Sequence, residues 1–74
     1  MEYLNEILVF KTNVRTEPDQ LRLKEIFDDH PDIHQWNVDT DDVDCVLRIV
    51  TQQIRAEDII QLLTEKGYLC NELE

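Results

Sequence analysis

The densest chemistry in this chain lies between Glu25 and Leu47, where seven aspartates and two histidines occur without a single Lys or Arg. Carboxylates gathered this closely can hold a hard divalent cation, and imidazoles add the nitrogen ligands that zinc takes. The spacing fits neither standard device. Counted from Asp39, the places where a calcium loop needs glycine and its last acid hold Asp44 and Val50. His30 and His34 have the i, i+4 spacing of a helical zinc pair, but Pro31 between them breaks the shared face. The segment therefore reads as a solvated acidic turn and rim, with a weak cation site or a dock for a basic partner as the alternatives. Cys45 and Cys70 lie in apolar, strand-like runs, where a thiol behaves as a small hydrophobe. Metal handling through these two cysteines, supplied by two subunits, or through the acidic and His segment, is the second functional reading. The chain contains no serine, and neither cysteine has a neighbouring base to activate it. No enzyme activity, resident cofactor or metal site is expected.

With 7 basic against 17 acidic side chains, the net charge is −10. Phosphate binding needs clustered Lys and Arg, so nucleic acid and anionic membrane surfaces are not expected partners. The first apolar run, Ile7 to Phe10, is too short for a signal segment or a membrane span, and two cysteines do not make a disulfide framework. A cytoplasmic chain forming one domain over residues 1–74 is expected.

The elements that must position these groups follow from periodicity. Ile7 to Val14 is a β-rich run. Thr16-Glu17-Pro18-Asp19 is a helix start, with Thr16 as cap, Pro18 in the first turn and acids at the positive end of the dipole. Leu23, Ile26, Phe27 and His30 then share one helical face, which Pro31 ends, predicting a helix over 17–29. Residues 33–39 and 43–50 predict a hairpin around Asp39-Thr40-Asp41-Asp42. Ala56, Ile59, Leu62 and Leu63 predict a second helix closed by Lys66-Gly67, and Tyr68 to Glu72 a last short strand. The order βαββαβ has one dominant solution: an α+β, ferredoxin-like sandwich, its four-stranded antiparallel sheet carrying both helices on one face. Strands one and three are then central, and Cys45 and Cys70, with strand one between them, are too far apart to bridge.

In this order and these lengths the chain resembles the heavy-metal-associated domain, the small copper-chaperone-type family. Lys66-Gly67-Tyr68 is similar to that family's Gly-Tyr before its last strand. Phe27, Pro31-Asp32-Ile33, Trp36 and Val38-Asp39 fall where the family places a helix leucine, a Gly-Val-type turn and the second strand. The family's Met-x-Cys-x-x-Cys loop is missing: Val14, Thr16 and Asp19 stand at its methionine and two cysteines. Thiolate pairs select Cu(I), and hydroxyl and carboxylate oxygens do not replace them. The resemblance thus implies the fold without the metal-binding role.

Strands one and three carry apolar side chains on both faces: Ile7 and Val9 against Leu8 and Phe10, and Cys45, Leu47 and Ile49 against Val46, Arg48 and Val50. Two helices cover one face only. The other is expected to offer an apolar patch for a homo-oligomer, most simply a dimer, or another protein partner, with Leu8, Phe10, Trp36, Leu47 and Ile49 as its candidate residues, or the alternates of Leu8 and Phe10 on the opposite face, since the pattern does not say which face is open. A non-catalytic interaction or self-association module is the leading reading. A small-molecule-sensing regulatory domain, its ligand near Thr16 between dimer partners, is the third.

Overall fold

A computed structural model describes residues 6–73; Met1 to Asn5 and Glu74 lie outside the described residues. Along the chain run β1 (Glu6–Thr12), α1 (Glu17–Asp28), β2 (Ile33–Asp39), β3 (Val46–Thr51), α2 (Ala56–Glu65) and β4 (Cys70–Glu72). The strands form one antiparallel sheet in the order β2-β3-β1-β4. This is the α+β, ferredoxin-like arrangement, with β1 and β3 in the centre.

Register decides which side chains meet. Leu8 stands opposite Ile49 and Phe10 opposite Leu47, while Trp36 and Val38 of β2 flank the same two β3 residues. Opposed residues of an antiparallel pair share a face. Phe10, Leu47 and Ile49 join Leu23 and Phe27 of α1 and Ile59 and Leu63 of α2 in a single buried cluster. Both helices therefore cover the same face of the sheet.

Each helix has a local reason to begin where it does. Thr16 Oγ1 accepts the Asp19 N–H at 3.3 Å, and the Asp19 carboxylate returns the bond by accepting the Thr16 N–H at 3.3 Å. That reciprocal pair is a capping box, with Pro18 in the first turn. At α2, Asp58 Oδ2 accepts the Arg55 N–H at 3.3 Å. The end of α2 is a Schellman turn: the Gly67 N–H donates to Thr64 O at 3.0 Å and the Tyr68 N–H to Leu63 O at 2.9 Å. It requires a positive φ, and Gly67, the only glycine, adopts +89°.

The third strand begins later than alternation implies. Asp42 Oδ1 accepts the Asp44 N–H at 2.9 Å and Asp42 O the Cys45 N–H at 2.9 Å, so the turn continues through Cys45. Cys45 takes φ +45°, the left-handed region, and is fully buried outside the strand. Thr12 Oγ1 holds it there by donating to Cys45 O at 2.7 Å. Cys70 is the register partner of Thr12 on the other side. The cysteines thus flank β1 from opposite sides, both as free thiols, and burial pushes the Cys70 thiol up to about 11.

Candidate interaction surface

The outer face of the sheet is built by the side chains that alternate with the core set. Two rows cross it: Gln35, Val50 and Ile7, then Asn37, Arg48 and Val9. Val46 opposite Asp39, and Lys11 opposite Asn71, complete it. Ile7 is 64% exposed, Val9 and Val50 are half-buried, Val46 is buried, and Arg48 and Lys11 are exposed. β-branched residues suit this position because they pack against cross-strand neighbours even without a covering layer. Among the described residues, no helix lies over this face.

The candidate residues named from the sequence divide differently. Phe10, Leu47 and Ile49 have no exposed surface, and Leu8 and Trp36 are half-buried against the same cluster. The apolar set expected to be open is the one beneath the helices, so these five residues are corrected from an interaction surface to core and core margin. The physical reason is volume: the two helices present Phe27, Leu23, Ile59 and Leu63, and the larger side chains, Phe10, Leu47 and Ile49, fill the space against them. The open set is Ile7, Val9 and Val50 around Arg48. A signal for this was present in the charges, because Lys11 and Arg48 sit on the same alternation as Val9 and Val50, and a lone charge in an apolar strand marks the solvent side.

Charge distinguishes this face from the rest of the molecule. It carries Lys11 and Arg48 against Asp39 alone, in a chain of 7 basic and 17 acidic residues. Lys11 Nζ also lies 3.4 Å from Asp44 Oδ1 at the rim, an exposed pair that contributes little to stability.

The loop between β1 and α1, where a thiolate pair would sit in the family resembled, is occupied by structural bonds. Asp19 Oδ2 accepts the N–H groups of Arg15 at 3.4 Å and Thr16 at 3.3 Å, and Asp19 Oδ1 accepts Tyr68 OH at 3.0 Å. Asn13 Oδ1 accepts the Leu69 N–H at 2.9 Å, so the loop is tied twice to the start of β4. The bonds from Thr16 hold the Asp19 carboxyl below its usual range, with those from Tyr68 and Arg15 adding to the effect. Burial, then the Asp19 carboxylate, pushes the Tyr68 hydroxyl up. A lowered folded pKa means that this stabilisation is complete above the ordinary aspartate value of 3.8 and is lost as pH falls through the lower folded value. An NMR titration is expected to show Asp19 ionising below pH 3.8 in the wild type, moving back towards 3.8 in Thr16→Ala.

The acidic segment is likewise engaged in turns. Asp28 accepts Trp36 Nε1 at 3.2 Å and pairs with Lys24 at 3.0 Å; the Lys24 bond first, then the Trp36 bond, lowers its pKa. Asp39 accepts the Asp41 N–H at 3.1 Å, and His30 Nδ1 accepts the Asp32 N–H at 3.3 Å. Among the described residues, no group of three or more His, Cys, Asp or Glu is placed to hold a metal ion, and no helix is long and apolar enough to cross a membrane. No family model, curated protein or solved structure matches the chain.

Proposed function

We propose that this chain is a non-catalytic association domain whose outer sheet face docks a second copy, on a heavy-metal-associated type of scaffold whose metal loop has become a helix cap. The observation that carries this reading is the uncovered patch of Ile7, Val9 and Val50 around Arg48. The outer face carries few of the chain's 17 acidic residues, so a second copy packed sheet against sheet meets less repulsion there than it would against the helix layer. In that arrangement the two faces, on which Asp44 and Asp39 offset Lys11 and Arg48, lie about 10 Å apart while both acidic helix layers point outward. The helix layers are then separated by more than the Debye length of about 8 Å at physiological ionic strength, so most of their repulsion is screened. The bonds around Asp19 support the loss of the metal role, because both carboxylate oxygens and the Thr16 hydroxyl are already used. A cytoplasmic setting fits two free, buried thiols.

Native mass spectrometry and light scattering across protein concentration test this. A dimer is expected in the wild type, tightening as salt is raised because each copy carries −10. Val9→Asp and Val50→Asp are each expected to weaken it at least tenfold while the far-ultraviolet circular dichroism stays native. A monomer at every concentration and salt, or a dimer indifferent to both substitutions, would overturn the reading. Spectra taken with added Cu(I) and Zn(II) report the metal alternative directly, since bound metal lost on Cys45→Ser or Cys70→Ser would replace it.

A further inference from the structure

The two edges of the sheet are unequal. β4 is three residues long, whereas β2 runs for seven, from Ile33 to Asp39. An edge strand turns alternate N–H and C=O groups away from its one neighbour, and soluble proteins blunt such edges with Lys, Pro, a bulge or a covering element. β2 contains neither Lys nor Pro, and its irregularity is confined to its start, between Ile33 and Gln35. From Gln35 to Asp39 it is regular against β3. Among the described residues, no turn, loop or side-chain hydrogen bond reaches the backbone of His34 to Asp39. A ladder's worth of main-chain donors and acceptors is therefore free along that edge.

Two features say what would fill it. Beside the edge, on the helix-covered face, Trp36 and Val38 are half-buried. Trp36 meets Phe27 edge-on at 5.3 Å and is fixed by its bond to Asp28. They offer a partly apolar margin on which alternate side chains of an added strand can rest. Both ends of the edge are acidic: Asp28 (which pairs with Lys24), Asp29 and Asp32 precede it, and Asp39 at its last position is followed by Asp41 and Asp42. A second copy does not suit this edge, because antiparallel pairing of two β2 strands brings the acidic end of each against the acidic end of the other. The outer-face association proposed above leaves the edge untouched.

The geometry points to β2 as the docking edge for an extended peptide segment of a protein partner, flanked by Lys or Arg, which adds to the sheet as a fifth strand. The main-chain ladder supplies the pairing, and the aspartates at both ends select a basic segment and speed its encounter. Selectivity against acidic or neutral segments comes from the same charges.

The probe is a synthetic peptide of five alternating Val and Thr residues with two Lys at each end, set against a control whose central residues are N-methylated and cannot pair. Trp36, the only tryptophan, reports binding by fluorescence, and amide hydrogen exchange reports where it occurs. Saturable binding is expected, with exchange slowed at Gln35 to Asp39, the N-methylated control at least tenfold weaker, and affinity falling at high salt. The double substitution Asp32→Lys with Asp39→Lys is expected to weaken binding at least tenfold, while Val9→Asp leaves it unchanged, which separates this edge from the outer face. Equal affinity for the control, binding without protection in β2, or no binding at millimolar peptide would each overturn the assignment.

Discussion

Phe10→Asp is expected to leave the chain without a cooperative fold: the far-ultraviolet circular dichroism of an unfolded polypeptide and no urea transition. Phe10 has no exposed surface and lies in the one cluster shared by both helices and the central strands. Removing a buried Phe side chain costs about 3–5 kcal/mol. A carboxylate in the same place adds a desolvation cost of several kcal/mol, because the buried side chains of that cluster include no cation and no donor stronger than the Cys70 thiol. At roughly 0.05–0.15 kcal/mol per residue, a domain of 74 residues has about 4–11 kcal/mol to lose. The same substitution one pleat away, at Val9, places the charge on the uncovered face and is expected to keep the fold. A native spectrum for Phe10→Asp would mean that the wrong side of β1 has been assigned to the core.

Thr51→Val is expected to destabilise the fold by about 2–4 kcal/mol, although it is isosteric and fully buried. Thr51 Oγ1 donates to Asp32 O at 2.6 Å and accepts the N–H groups of Ile54 at 3.2 Å and Gln53 at 3.3 Å. One hydroxyl thus uses its proton and both acceptor positions. It joins the start of β2 to the end of β3 and shapes the chain that leads into α2. Valine strands the Asp32 carbonyl and the buried Ile54 amide together. Urea unfolding checks this, with Thr51→Ser expected to recover most of the loss; equal losses for Val and Ser would assign the effect to packing.

Much of this architecture was legible because each element agrees with itself. The Thr16 to Asp19 spacing marks the start of α1, the period of Ile59 and Leu63 marks the buried stripe of α2, and Gly67 stands where the left-handed residue is needed. Three features did not follow from periodicity. The start of β3 moved from Val43 to Val46 because side-chain bonds from Asp42 draw the turn onward, which alternation does not register. Which alternation stays open does not follow from Ile7 to Phe10, which is apolar on both sides, because period alone does not say which side the helices take. The charges at Lys11 and Arg48 carried that information. The free edge of β2 had no sequence signature beyond the lack of Lys and Pro within the strand, since it becomes an edge only once β3 and β1 have paired.

The strand order also sets a timetable for making the molecule. β1 pairs with β3, and Phe10 meets Glu72 only at the far end of the chain. On a ribosome adding about 5–20 residues per second, the 62 residues added after Phe10 to reach Glu72 take about 3–12 s to appear. Until Thr51 has been added, Ile7 to Phe10, the most apolar run near the start, has neither neighbour complete, and until Glu72 it still lacks β4. Contacts so distant in sequence form slowly even in the finished chain. The surrounding carboxylates then serve the nascent chain as much as the folded one, because mutual repulsion between acidic chains keeps unpaired strands apart until their own partners arrive.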